Sequence, residues 1–449
     1  MYPDFQSRSA DLFARAQDFL PGGNTRHTVH FEPYPVYAAR GRGAWVTDVD
    51  GNDYLDYVNN YSSLIHGHSH PKVVGALVQQ ASELVAVGLP TASEIALAEL
   101  LVERLPAVEQ IRFANSGTEA VMFAIRAARA YTGRPKIAKV EGAYHGAYDA
   151  AEASMDPTPA NWGDATRPQS VGHARATPAG LLDDVVVIPF NNVEATRRLL
   201  DAHADELAGV LFDALVSRMG FLQATPEYLQ LLRQWTHEHG ALLIQDEVFS
   251  FRLGYHGAQG HYGLDPDLTA LGKIIGGGLP IGAVGGKREF MQVFDHRSGH
   301  AAVPHGGTFN ANPLAMVAGR VTMELMTHAA YAHINALGDR LRDGLNRLFA
   351  AHGWAASARG VGSMVGVMLG GETLGNYRDY RGFLPAVAQS VPRMLPLHRA
   401  LLARGVMFIP YGGLITSTAM TEADIDLTLA KFDDAFKAIP MNAERFATA

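Results

Sequence analysis

From residue 72 to about residue 325 the chain alternates two hydrophobic periods. Apolar positions at helical spacing run through 72–84, 94–105 and 119–131, and short unbroken apolar runs occupy 136–140, 185–189, 209–212 and 241–244. A helical stripe seeks one core, whereas an unbroken apolar run is the mark of a strand buried on both faces. The alternation therefore predicts an α/β unit, a mainly parallel sheet flanked by helices. A helix near 310–327 leads out of it. Before it, a short amphipathic helix at 11–20 and a break at Pro21-Gly22-Gly23 precede two strand patterns, 44–48 and 54–58, around the Asp50-Gly51 turn signal. After it come a helix at 334–350, a strand at 363–368, a helix at 396–404, a strand at 406–409 and a helix at 423–439. The expected organisation is a large domain over 71–328 and a smaller α+β lobe built from 1–70 and 329–449. The 156–178 stretch reads as a long loop, a length that is usually functional.

Composition narrows the class. A 47% hydrophobic and 18% charged chain of 449 residues is ordinary for a folded enzyme. The net charge of −8, with no basic stripe, argues against a nucleic-acid partner. The absence of cysteine removes disulfides and thiolate metal sites. The first residues lack a basic and apolar leader, and no apolar run approaches the ~20 residues of a membrane span. The expectation is a soluble cytoplasmic protein without membrane contact. His66, His68 and His70 alternate in an extended stretch, but no carboxylate stands at ligand spacing and Pro71 starts a helix at once, so no metal site is expected.

The chemistry concentrates in 241–278. The apolar run 241–244 leads into Asp246 and Glu247, then Val248. Further on, one lysine, Lys273, stands between an apolar run and three glycines. Burial disfavours an ammonium, and a desolvated lysine is a nucleophile that forms Schiff bases with aldehydes. A carboxylate at a strand end keeps a pyridine nitrogen protonated, so lysine and aspartate together point to pyridoxal 5′-phosphate. An exposed acidic loop and a plain helix end are the ordinary readings of the same residues. Asn115-Ser116-Gly117-Thr118-Glu119 opens an alanine-rich helix. Such a start offers free amides and hydroxyls to an anion, and it also reads as a capping box of Ser116 with Glu119. Gly306-Gly307-Thr308-Phe309 is a second hydroxyl-bearing glycine turn. Neither site has a nucleotide-loop glycine spacing. Tyr144, followed by His145 and Gly146, could stack on a flat ring. Val248, two residues after Asp246, would face the same way on a continuing strand.

Together with GHSHP at 67–71, WVTDVDGNDYLDY at 45–57 and GGGLPIGAVGG at 276–286, these motifs resemble class III aminotransferases of PLP fold type I over roughly 20–435. The likeness is strongest to the glutamate-1-semialdehyde aminomutase and β-amino-acid transaminase branch. The resemblance implies PLP held covalently by Lys273, with Asp246 on its ring nitrogen and Tyr144 and Val248 on its two faces. It implies Ser116, Gly117 and Thr118 at the phosphate, His145 among the cofactor residues, and Thr308 reaching a neighbouring subunit's phosphate in a homodimer with shared sites. Arg26 falls where β-amino-acid transaminases place a carboxylate-binding arginine, and Tyr61 where the aminomutase has a pocket aromatic.

Departures are as informative. Asp213-Ala214 stands where the family has Glu-Pro, Ser217-Arg218-Met219-Gly220 replaces Gly-Asn-x-Gly, and Pro410-Tyr411-Gly412 carries neither the aminomutase run nor a transaminase arginine. The expected activity is transfer of an amino group from a β- or ω-amino acid or amine to a keto acid by a ping-pong route. The alternatives are an intramolecular aminomutase, a PLP amino-acid racemase and a non-catalytic PLP-binding protein.

Overall fold

The computed structural model describes residues 2–297, 299–369, 374–383 and 387–439. The chain forms two compact units, one of Lys72–Ala332 with Thr373–Phe383, the other of Met1–Pro71, His333–Glu372 and Leu384–Ala449.

The larger unit is organised on a seven-stranded sheet. Its order is Gln110–Ala114, Gly282–Gly286, Leu268–Gly272, Leu242–Asp246, Leu207–Phe212, Lys136–Val140 and Val185–Ile188. Gly282–Gly286 is antiparallel to both its neighbours, and the other contacts are parallel. Strand alternation divides the apolar side chains between two cores. Ala138, Val140, Val210, Phe212 and Leu243 join Tyr228, Leu232 and Trp235 of the helix Pro226–His239. Ile137, Ala208, Leu211, Leu242 and Ile244 instead join Ala120, Ala124, Ile125 and Ala128 of the helix Gly117–Thr132. Consecutive residues enter different cores, so both faces are covered and the central strands are mostly apolar. Residues 156–178 hold only the two-residue strands Gly163–Asp164 and Arg167–Pro168, paired with each other.

The smaller unit has a sheet of Ala38–Arg42, Trp45–Asp48, Asp53–Asp56 and Val406–Met407, and an antiparallel sheet of Ala356–Val361, Met364–Leu369 and Gly413–Ile415. Leu55, Tyr57, Leu341, Phe349, Phe408 and Phe432 share its core.

Several expectations shift. The first helix is Arg8–Ala16, not 11–20, because the Ser7 hydroxyl caps it by accepting the Ala10 amide at 3.2 Å. The strand Ala356–Val361 was not anticipated, because its run of small residues around Arg359 carries no apolar alternation. The expected C-terminal lobe is also interrupted, since 374–383 folds with the larger unit. Among the described residues no helix is long and apolar enough to cross a membrane, and no group of three His, Cys, Asp or Glu could hold a metal. His68 and His66 are instead bonded to Asp56 and Thr418, each at 2.8 Å.

Candidate active site

Parallel strands of an open α/β sheet leave a crevice beyond their carboxyl ends, where loops and helix starts converge. In the larger unit Asp246 ends the central strand Leu242–Asp246, with Gly272 at the end of the neighbouring strand. The Asp246 carboxylate is buried. One oxygen accepts from His145 Nδ1 at 2.8 Å and the other from the Val248 amide at 2.9 Å. The imidazole is itself buried, which lowers its pKa while Asp246 raises it, and its Nε2 has no partner among the described residues. His145 therefore fixes the carboxylate's direction rather than neutralising it. Val248 lies beyond the strand, so strand alternation does not aim it. The aspartate turn does, and its side chain packs against Gly117 and Gly272. A Cβ at Gly117 would stand 2.8 Å from Val248 Cγ1, and one at Gly272 3.2 Å.

Lys273 follows Gly272 with a φ of 50°, in the left-handed region that costs a side-chain-bearing residue of order 1–3 kcal/mol. Its amine makes no hydrogen bond or ion pair among the described residues and lies 5.0 Å from the Phe249 ring centre. Burial pushes its pKa below the ordinary lysine range, against the pull of Asp246 and Asp213. Asp213 follows the adjacent strand, and burial and Asp246 hold its carboxyl well above the usual range. A largely desolvated amine without a hydrogen bond among the described residues, in the field of two carboxyls and on a strained backbone, is an arrangement more typical of functional sites than of structural cores.

Ser116 caps the helix Gly117–Thr132, its Oγ accepting from the Glu119 amide at 3.1 Å. Glu119 reaches back to the Asn115 amide at 2.5 Å, one residue earlier than a true capping box. The cap leaves amides of the first turn and the hydroxyl hydrogens free for an anion. Thr118 Oγ1 accepts from Ala147 at 3.0 Å, tying the helix start to the loop that carries Tyr144 and His145. Tyr144 is 47% exposed, which leaves ring surface uncovered. Thr308 lies on an exposed turn whose Asn310 accepts from Asn115 Nδ2 through Oδ1 at 2.8 Å.

Arg26 and Tyr61 belong to the other unit. The Arg26 guanidinium is exposed and donates to Asn60 Oδ1 at 2.8 Å, while the Tyr61 hydroxyl donates to the Thr28 carbonyl. Tyr61 sits in a run of four left-handed residues, Asn59 to Ser62, with φ values of 46°, 47°, 54° and 76°. Glu247 departs from the exposed-loop reading. It is buried and accepts from the Ala258 and Gln259 amides at 2.7 and 2.9 Å and from Gln259 Nε2 at 3.0 Å, and burial pushes its pKa up to about 7.

Sequence reasoning missed what supports the Tyr144 loop. Tyr377 packs under Gly142, where a Cβ would stand 2.0 Å from its ring, and Arg378 grips Glu141. Gly142, with its φ of 77°, was the one local signal of a close approach.

Residues 27–436 match the family described as aminotransferase class-III. An ω-transaminase from Sphaerobacter thermophilus superposes with a TM-score of 0.93 at 46% identity, covering 97% of this chain and 98% of that one. A β-phenylalanine aminotransferase from Variovorax paradoxus does so with a TM-score of 0.85 at 33% identity, covering 96% and 94%. The curated glutamate-1-semialdehyde 2,1-aminomutase 2 of Halalkalibacterium halodurans is 39% identical over 436 residues, 96% of this chain and 98% of its own length. With its strand-end aspartate, its strained lysine and a match across nine-tenths of its length, the chain belongs to the class III aminotransferases.

Proposed function

We propose that this enzyme holds pyridoxal 5′-phosphate in its larger unit and moves an amino group from a β- or ω-amino acid, or a related amine, to a keto acid in two half-reactions. Lys273 carries the reading: its amine is desolvated, unpaired and held on a left-handed backbone. Such an amine needs a covalent or catalytic partner to offset its cost.

The residues present fit the group. Ser116, Gly117 and Thr118 offer amides and hydroxyls at a helix start for a phosphate. Asp246, aimed by His145, presents a carboxylate for the ring nitrogen, and Lys273 an amine for the aldehyde. Tyr144 and Val248 would cover the ring's two faces. When bound, the group supplies an electron sink for the carbon that loses its proton. Lys273, once displaced by the donor's amine, carries that proton from the substrate carbon as general base and returns it as general acid. Its lowered pKa favours the neutral base form, and Asp246 would hold a proton on the ring nitrogen. Arg26 takes the donor's carboxylate, and Tyr61 lies against the donor's apolar substituent. Thr308 reaches the phosphate of a second copy, which makes the working form a homodimer with shared sites. Support for a remote amino group comes from the likeness to the ω-transaminase and the β-phenylalanine aminotransferase.

The test is a donor panel on the purified holoenzyme. Bleaching of the cofactor's visible band with release of a keto product is expected from β-amino acids and simple amines. Isomerised amine without keto product would favour the aminomutase alternative. Arg26→Ala should raise KM for a β-amino acid by roughly 1.5–3 kcal/mol equivalent, the scale of losing a hydrogen bond to a charged group. A carboxylate-free amine should be unaffected; equal effects on both would remove Arg26 from the site. A fully active monomer in light scattering would remove the shared-site element.

A further inference from the structure

This inference rests on the transaminase reading, which requires one site to seat two acids in turn. In a β-amino acid the carboxylate stands one carbon further from the reacting carbon than in an α-keto acid. A carbon–carbon bond is ~1.5 Å, and that offset takes a good hydrogen bond out of range. One fixed cation cannot grip both acids with the reacting carbon in one place, so a second cation is needed.

The larger unit holds one, on the turn where the chain departs from its family's Gly-Asn-x-Gly pattern. Arg218 lies in the turn Ser217–Met219, shortly after the carboxyl end of Leu207–Phe212. That strand runs between the strand that leads to Tyr144 and the strand that ends in Asp246. Gly220 and Phe221 then reverse the chain with φ values of 64° and 61°. The Phe221 ring packs 5.6 Å from that of Phe249, whose other neighbour is the Lys273 amine at 5.0 Å. The turn is thus anchored one aromatic ring away from the proposed catalytic lysine.

The Arg218 guanidinium is little used by the fold. Its side chain is 34% exposed, it makes no hydrogen bond among the described residues, and its one ion pair there runs 3.6 Å from Nη2 to Asp156 Oδ1. The same oxygen lies 3.1 Å from the Tyr377 hydroxyl and 3.3 Å from Nη2 of the buried Arg381. Asp156 has closer donors in Tyr377 and Arg381, so apart from this long ion pair the Arg218 guanidinium is not committed to a hydrogen bond among the described residues. Its charge also falls on Tyr144, drawing the phenol's pKa down against burial.

We propose that Arg218 binds the carboxylate of the keto-acid acceptor. A planar fork suits a carboxylate held bidentate, and the position leaves Arg26 to serve the donor.

The experiment separates the half-reactions. Holoenzyme is converted to its amine form with 1-phenylethylamine, which has no carboxylate, and then mixed with pyruvate or with propanal. Arg218→Gln should raise KM for pyruvate roughly 10–100-fold, the scale of losing a hydrogen-bonded charge partner, and leave propanal and the first half-reaction unchanged. Arg218→Lys keeps the charge without the fork and should restore part of the loss. If Arg218→Gln does not fold, Arg218→Lys must by itself raise the pyruvate KM and spare propanal. An unchanged pyruvate KM, or equal losses for both acceptors, overturns the assignment while normal bleaching by the amine keeps the transaminase reading. No bleaching in the unmodified enzyme would instead defeat that reading.

Discussion

Arg378→Ala should destabilise the larger unit by about 3–5 kcal/mol at pH 8, the range for removing one partner of a buried ion pair. Arg378 Nε and Nη2 reach the Glu141 carboxylate at 3.1 and 3.0 Å, with only 15% and 4% of the two side chains exposed. The remaining donors satisfy the carbonyls of Gly163 at 2.9 Å, Trp162 at 2.8 Å and Asp164 at 3.0 Å. Truncation therefore strands one buried carboxylate and uncovers three carbonyls. Burial already holds the Glu141 pKa above the usual carboxylate range, with Arg378 and Lys139 pulling it down. Without Arg378 it rises further, and protonation relieves part of the cost. The sign follows. A carboxyl raised in the folded state contributes stability at pH below its unfolded value, and loses it as pH climbs through the folded value. The variant's deficit should be largest at pH 8 and smaller at pH 5.5. Urea unfolding followed by tryptophan fluorescence reads it, since Trp162 lies 4.7 Å from the Arg378 guanidinium. Adding Glu141→Gln, which removes the stranded charge, should recover part of the loss. A deficit under about 1 kcal/mol, one equal at both pH values, or no recovery from the second change would refute the reasoning.

Three further outcomes are expected. Lys273→Ala should abolish turnover without unfolding the protein, and borohydride reduction of the holoenzyme followed by peptide mapping should tag residue 273; a tag on any of the six other lysines would remove it from the role. Asp246→Asn should lower kcat roughly 10²–10³-fold, the scale of removing a preorganised electrostatic partner. Glu247→Gln should act mainly on stability, by about 1–3 kcal/mol, because an amide nitrogen would face the Gln259 donors; equal kcat losses would count against Asp246. In the smaller unit, His398 is buried between Phe31 and Phe408, and burial pushes its pKa down to about 4. Its contribution is complete above the unfolded value near 6.5 and lost as pH falls towards 4, at most about 3 kcal/mol. His398→Phe should flatten that part of the stability–pH curve, and an unchanged slope would place the titration elsewhere.

What the sequence disclosed was local. The run 241–244 is apolar throughout, so its burial and its end at Asp246 follow from period alone. Ser116 and Glu119 are three residues apart, and that spacing marks a helix start whatever surrounds it. The first helix was misplaced because its apolar stripe begins after its cap; Ser7, not the stripe, decides where it starts. Distant pairings were not legible. Arg378 meets Glu141 across 237 residues of sequence, and nothing in 374–383 differs in composition from the lobe around it. The glutamate beside Asp246 looked like an exposed loop residue because two adjacent acids usually are one. Its burial depends on the Ala258 and Gln259 amides, eleven and twelve residues later.

The left-handed run at Asn59–Ser62 was equally hidden, and it shows how the fold can hold unfavourable backbone where the substrate residues are proposed. Each left-handed residue with a side chain costs of order 1–2 kcal/mol, and none of these four is glycine. Two are asparagines, the side chain that bears this conformation best. The rest of the cost is met by anchors at both ends. Asp56 Oδ1 accepts the Val58 and Asn59 amides at 2.7 and 3.2 Å, and Asn59 Nδ2 donates to the Ile415 carbonyl at 2.8 Å. The Tyr61 hydroxyl donates to Thr28, and Asn60 accepts from Arg26. An ordinary right-handed turn would need none of these bonds. Here they hold Tyr61 and Arg26 against one local frame, so the side chains proposed to grip the donor's two ends are positioned by one strained turn.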